Sequence, residues 1–510
     1  MFNKYLIVMK KTFIIFVFLS FMLFRIEGQP IQRGIRIAYI VNDAQIDFLN
    51  AHFQYVITPF LSQDIRDKIN GPVLLLYRSI QGTWEGFEQF DWNHINNHEN
   101  MFCHSDSLNQ SSGTRIITIW DSWLMDGNDF VDPALPGAMN HWINYYAITA
   151  SGQVIAFGYD GLFIDSAGHR LSPNAVYGVM PFDYSDDSWR DGRYAALSYI
   201  KTQLPGNLVI FNGLHSDNGA DSSLTFTDGG MWEDFAYDIN DGRYKGIAKW
   251  FSAIECLENN HDSSSLVLVV KKPGLINDLQ ARVFSVASFL LINNENTVLS
   301  LSDYSLQNTM QYYPEYEIDL GDALEEYKMR DDTLFIRHFE KGIVVVNPDS
   351  VQSKSFEAAK NFVKIIPQGG GIIDTTAFYD GTLTYEPLEN SGLEIAPVSA
   401  VILIDTTFVN IAEKNIRSNP LTGIGVYPNP FQKTVNIDLN VCFETPLSIT
   451  VHNLYGIKIK TLNKGKSPRG KFHFTWNGTG ENGLYVHEGI YIIKIIAGGS
   501  IREKKVIFTK

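Results

Sequence analysis

Two acids carry the chemistry this chain could do. Asp165 ends the short apolar run Tyr159-Asp-Gly-Leu-Phe-Ile-Asp-Ser166, and Glu233 ends a similar one in Thr225-Phe-Thr-Asp-Gly-Gly-Met-Trp-Glu-Asp-Phe235. Side chains alternate along a strand, so Gly161, Phe163 and Asp165 share one face and Leu162 and Ile164 the other. Each acid then emerges at the C-terminal end of its strand, where a parallel α/β barrel places its variable loops and its chemistry. Breaking a glycosidic bond needs one carboxylic acid to protonate the departing oxygen and a second carboxylate to attack the anomeric carbon or activate water. Asp165 suits the nucleophile or base and Glu233 the acid, with the roles exchangeable. Asp160 and Asp234, the nearest substitutes, have the opposite parity to the acid beside them.

Further polar residues fall at or just beyond strand ends: Tyr77, Arg78, Asn212, His215, Lys271 and Asp303. They are candidate ligands for sugar hydroxyls, though strand ends carry polar residues for local bonding as well. Trp120, Trp123 and Trp232 could stack on sugar faces or be buried in the barrel wall. His94, His98 and His104 lack the spacing of a metal site. The expectation is a site with no metal and no cofactor.

The elements that must position these residues follow from periodicity. From residue 35 to about 303 strands and helices alternate, as in parallel α/β architecture. The strand candidates are 35–41, 53–57, 73–77, 161–165, 208–212, 225–233, 266–270 and 297–301. Apolar stripes mark three helices, through Met139, Trp142, Ile143 and Tyr146, then Ile247, Trp250, Phe251, Ile254 and Leu257, then Ile276, Leu279, Val283, Val286 and Leu290. Eight strands with helical crossovers predict a (β/α)₈ TIM barrel over 29–330. The rival, an open doubly wound sheet, lacks a glycine-rich phosphate loop after the first strand. Residues 83–136, rich in Trp, Asp and Asn, interrupt the alternation and are expected to wall the cleft, with Trp120 or Trp123 facing it. Short strand-like runs then predict an antiparallel β-sandwich over 331–405, a linker over 406–424 and a small all-β domain over 425–510.

The formal charge of −15 and pI near 5.3 argue against nucleic acid as a partner, since that affinity comes from Lys and Arg on phosphates. Cys103, Cys256 and Cys442 are too few and scattered for a disulfide framework or a zinc cluster. Lys10 and Lys11 precede the apolar run Phe13 to Phe24, then Glu27-Gly-Gln-Pro30. Residues 1–28 therefore read as a secretory signal peptide, and no later run is apolar enough to span a bilayer.

The pieces Leu76-Tyr-Arg-Ser79, Trp123-Leu-Met-Asp126, Tyr159 to Asp165, Asn212-Gly213 and Trp232-Glu233 together resemble the hypothetical glycosyl hydrolase family numbered fifteen. The resemblance implies a secreted barrel glycosidase acting on a polysaccharide or oligosaccharide, and supplies no sugar. Gly425-Val-Tyr-Pro-Asn-Pro-Phe431, Gly489-Ile-Tyr-Ile-Ile-Lys494 and Lys504-Lys-Val-Ile-Phe-Thr-Lys510 resemble a type A sorting domain of the type IX secretion system. That resemblance implies a partner in the secretion machinery and delivery to the surface or the medium. The alternative is a non-catalytic carbohydrate-binding or adhesion protein on a glycosidase-like barrel, which has no need of two carboxylates at catalytic separation.

Overall fold

The computed structural model describes residues 31–37, 41–59, 61–87, 89–215, 220–388, 391–409, 421–441, 445–454, 456–468, 470–497 and 500–509. The proposed signal peptide, residues 410–420 of the expected linker, and Cys442 lie outside them. Among the described residues no helix is long and apolar enough to cross a membrane.

Eight parallel strands close into a barrel in chain order. They are β1 (Gln32–Arg36), β2 (Tyr55–Thr58), β3 (Val73–Ser79), β4 (Gly161–Asp165), β5 (Leu208–Asn212), β6 (Gly229–Trp232), β7 (Ser265–Lys272) and β8 (Thr297–Asp303). Each pairs with its sequence neighbour, and β1 closes on β8 through Gln32 opposite Val298. Inward side chains Ile57, Leu75, Phe163, Ile210, Met231, Val267 and Val298 fill the barrel with one apolar cluster. Outward ones such as Leu76, Leu162, Val209 and Leu268 are buried too. Burial on both faces explains why these strands read as continuous apolar runs. At the bottom of the interior Gly229 is required, because a Cβ there would lie 1.9 Å from the Ser265 carbonyl oxygen.

The outer layer consists of α1 (Asp43–His52), α2 (Gln63–Arg66), α4 (Trp142–Phe157), α5 (Asp186–Gln203), α6 (Ile247–Asn260) and α7 (Leu279–Leu290), with the short α3 (Trp92–Asn96) inside the insertion. α1 opens on a capping box in which Asn42 and Gln45 satisfy each other's backbone N–H groups. α4 ends where Gly158 turns left-handed. Between β5 and β6 the described residues of the crossover carry a 3-10 helix, Asp221–Phe226.

Three boundaries depart from expectation. β1 lies at 32–36 and not 35–41; residues 38–40 of the expected strand are outside the described set. The sixth strand begins at Gly229, because Thr225 and Phe226 belong to the 3-10 helix. Met139 and Ile276 sit in 3-10 turns that precede α4 and α7.

By contact the chain divides into two compact units, one reaching to Ile404 apart from 384–386, and the other taking 384–386 with Asp405–Lys510. In the first, Phe335–His338, Gly342–Asn347 and Ser399–Asp405 pair antiparallel inside a six-stranded sheet. A two-stranded ribbon, Lys354–Glu357 with Gly392–Ile395, shares a core with that sheet through Ile343, Val345, Phe356 and Ile395. Arg337 ties the sheet to the barrel by donating to the carbonyls of Leu290 (3.0 Å) and Asn293 (3.2 Å).

The second unit is a sandwich of a three-stranded and a four-stranded sheet around Trp476, Ile437, Ile449, Ile493 and Phe508. Its first strand, Leu421–Tyr427, takes in residues 421–424, which the sequence reading gave to the linker.

Candidate active site

Strand parity builds the site. Inward positions at or near the C-terminal ends of seven strands supply Arg36 (β1), Tyr77 (β3), Asp165 (β4), Asn212 (β5), Glu233 (just after β6), Lys271 (β7) and Ser302 (β8). All seven line one cavity of about 230 Å³ at the C-terminal mouth.

The two acids are joined by one nitrogen. Asn212 Nδ2 donates to Asp165 Oδ1 at 2.8 Å and to Glu233 Oε2 at 2.7 Å. The hydrogens of a planar amide nitrogen diverge by about 120°, which sets those oxygens roughly 4.8 Å apart. With the two bonds laid end to end the separation cannot exceed about 5.5 Å.

The remaining oxygens are also occupied. The Tyr77 hydroxyl donates to Asp165 Oδ2, and burial together with the Asp165 charge pushes that phenol far above its ordinary range, so it stays a donor. Lys271 Nζ donates to Glu233 Oε1. Burial, helped by the Arg36 guanidinium and opposed by Asp165, pushes the Lys271 ammonium down to about 8. Arg36 stands over the Tyr77 ring, 4.4 Å from its centroid.

The backbone leaves both acids in the same way. Ser166 (φ 56°) and Asp234 (φ 59°), the residues directly after Asp165 and Glu233, are left-handed without being glycine. Such conformations cost about 1–3 kcal/mol and cluster at functional sites.

Of the residues singled out in the sequence, the cavity brings together Tyr77, Asp165, Asn212, Glu233 and Lys271. The others go elsewhere. Arg78 has the opposite parity to Tyr77, is 1% exposed, and donates to Gln153 Oε1 (2.7 Å) and to the carbonyls of Tyr77 (2.7 Å) and Pro59. Asp303, also 1% exposed, accepts from the backbone N–H groups of Gly274, Ile276 and Ser305, fastening the loop after β7 to the end of β8. Trp232 points outward, edge-on to the ring of exposed His215 at 5.3 Å.

No residue of 83–136 lines the cavity, which overturns the expected cleft wall. The insertion instead folds against the segment after β4 and against α5, sharing a core of Ile116, Leu124, Leu171, Val176 and Trp189. Trp120 is 61% exposed on it, and Trp123 pairs with Thr83 in a two-stranded sheet. His94, His98 and His104 bond to the carbonyls of Met139, His94 and Glu99 respectively.

Sequence reading missed Arg36 and the run after β8, from which Tyr304, Gln307, Asn308 and Thr309 line the mouth. The alternation Ile35-Arg-Ile-Ala-Tyr-Ile-Val41 carried the expected strand past its true end, which moved Arg36 away from the mouth. The polar cluster Ser302 to Thr309 was the available signal for the other wall.

A closed parallel barrel with two carboxylates bridged at its C-terminal mouth is the arrangement of a glycoside-hydrolase-like enzyme. The chain belongs to the hypothetical glycosyl hydrolase family 15, whose profile matches residues 76–343. The profile of the FlgD Ig-like domain matches residues 432–500. No curated protein matches the chain. Among solved structures it is similar to an α-amylase from Geobacillus thermoleovorans complexed with acarbose, at 10% identity and TM-score 0.38, over 73% of this chain and 97% of that one. It is also similar to a family 36 α-galactosidase variant from Geobacillus stearothermophilus in complex with 1-deoxygalactonojirimycin, at 11% identity and TM-score 0.36, over 75% of this chain and 56% of that one.

Proposed function

We propose that this protein hydrolyses O-glycosidic bonds of a polysaccharide or oligosaccharide with retention of anomeric configuration. The observation that carries the reading is the Asn212 amide held by both carboxylates. The nearest oxygens of the two acids, no more than about 5.5 Å apart, support the roughly 5–5.5 Å carboxyl separation of retaining enzymes over the roughly 6.5–9.5 Å of inverting ones.

Asp165, whose oxygens meet only the neutral donors Tyr77 and Asn212, is the nucleophile. These two hydrogen bonds hold the carboxylate in place for attack. Its oxygen bonds to the anomeric carbon as the carbon–oxygen bond to the leaving sugar breaks. Glu233 passes a proton to that departing oxygen. Lys271, whose ammonium gives up its proton near 8, is the source behind Glu233. In the second half a water attacks the anomeric carbon, the ester to Asp165 breaks, and the Glu233–Lys271 pair takes the proton back.

The test is hydrolysis of a polysaccharide panel by the full chain, with the anomer of the first product read by NMR. In an Asp165→Gly variant, added azide should yield a glycosyl azide of inverted configuration; in Glu233→Ala, one of retained configuration. Sugar binding without any bond cleavage would leave a carbohydrate-binding barrel in place of an enzyme.

The same proposal takes the chain as exported, with the C-terminal sandwich as the sorting domain of a type IX secretion system. The motifs at 425–431 and 489–510 support this, as does the independent core of that unit. Deleting 425–510 should leave the barrel folded and hold the protein in the periplasm. Normal arrival of the truncated chain at the surface or in the medium would sink the sorting reading.

A further inference from the structure

The acid pair accounts for one cation at the mouth and leaves another without a task. Lys271 is bonded to Glu233. Arg36 lines the same cavity and is exposed, yet makes no hydrogen bond or ion pair with any described residue. Its guanidinium lies over the Tyr77 ring.

Its position in the barrel tells what it faces. In a closed ring of eight strands β1 lies opposite β5, so Arg36 stands across the mouth from Asn212, the residue that gathers the two acids. The Tyr77 ring beneath the guanidinium bonds Asp165 through its hydroxyl, so a sugar whose anomeric carbon meets Asp165 comes within reach of Arg36. Among the described residues the neighbouring wall offers neutral groups, including Ser302, Gln307, Asn308 and Thr309. Among the described residues lining the cavity, Arg36 is thus the one unpaired charge on that side. A planar guanidinium with free N–H groups pairs two-pronged with a carboxylate or a sulfate, and an uncharged hydroxyl uses little of it.

We infer that the sugar bound at this mouth carries a negative substituent, a carboxylate or a sulfate, and that Arg36 selects for it. The inference rests on the glycosidase reading above and deepens it to a class of substrate.

The experiment titrates the full chain with sodium glucuronate, sodium galacturonate, glucose 6-sulfate and galactose 6-sulfate, beside glucose and galactose, by calorimetry. At least one anionic sugar should bind tenfold or more tightly than its neutral parent, and whether a carboxylate or a sulfate does so identifies the group. Arg36→Met, which keeps an apolar stem over Tyr77, should erase the preference, and Arg36→Lys should keep part of it. The inference is overturned if no anionic sugar binds, if neutral sugars bind as well, or if the preference survives in Arg36→Met. It is equally overturned if Arg36→Met slows turnover of neutral and anionic glycans alike, since Arg36 would then be a counter-charge for Asp165. Release of reducing ends from neutral and acidic polysaccharides, run in parallel, separates the two readings. Cleavage of neutral glycans without anionic preference removes this inference and leaves the glycosidase; anionic binding without cleavage of any glycan does the reverse.

Discussion

Lys271, on β7, donates to Glu233 just after β6, so that one acid of the pair has a cation against it while the other, Asp165, has only neutral donors among the described residues. The two carboxylates are therefore chemically unequal before any substrate arrives.

That inequality sets the pH response. With the Lys271 ammonium lowered to about 8, turnover should fall as pH rises through that value. Lys271→Arg, which stays protonated to far higher pH, should lower kcat at neutral pH and abolish this alkaline limb. A limb unchanged in the variant would show that another group titrates there. Stability moves the opposite way. The lysine is depressed on folding, so the unfolded chain binds more protons from about pH 8 upward, and the wild type should gain stability relative to Lys271→Met as pH rises through that window.

Asp165→Asn and Glu233→Gln are near-isosteric changes at the mouth. Each should cost at least about 10²–10⁴-fold in kcat with the thermal midpoint nearly unchanged. Asn212→Ala keeps both acids and removes what spaces them. It should lower kcat by about 10²-fold, the scale of a 1 Å misplacement, while sugar binding measured by calorimetry persists. Full activity in Asn212→Ala would mean the spacing is fixed by something else.

Asp126, half-buried in the insertion, is pushed up to about 7 chiefly by burial, with Asp129 and Asp183 adding to it and the Asn128 N–H working against it. The folded chain thus holds a proton there that the unfolded chain has released above about pH 4. This term of stability is full at low pH and is lost as pH rises towards 7. Urea midpoints of the wild type and Asp126→Asn should diverge between pH 4 and pH 7, the variant gaining relative to wild type. Parallel curves would place the titration of Asp126 in its ordinary range.

Arg78→Met tests the parity argument directly. The change strips the donor from three acceptors, on Pro59, Tyr77 and Gln153. Unpaired buried acceptors cost about 1–3 kcal/mol each, so denaturation should show a loss of about 3 kcal/mol with KM little changed. A raised KM at unchanged stability would return Arg78 to the substrate.

Both acids and Asn212 were legible because period-two alternation assigns a face with no knowledge of the fold, and β4 and β5 were bounded by residues that ended them cleanly. Arg78 and Asp303 were misread by the same token: a polar residue at a strand end was taken for a ligand without regard to its parity, and each proves to serve the backbone. The insertion was misread because its tryptophans suit stacking and packing equally. Its contacts with Leu171, Val176 and Trp189 join positions far apart in the chain, which no local pattern encodes. Arg36 was hidden by alternation that ran on beyond its strand.

The shared amide of Asn212 limits how such a site can change. A variant that lengthened Asp165 to Glu or shortened Glu233 to Asp would disturb one of its two bonds and leave the other on the remaining acid. Under the proposed double displacement, opening the gap for a direct water attack therefore calls for a change at Asn212 as well as at an acid. Under the proposed mechanism, the amide at 212 fixes the stereochemistry of the product without itself forming or breaking a bond.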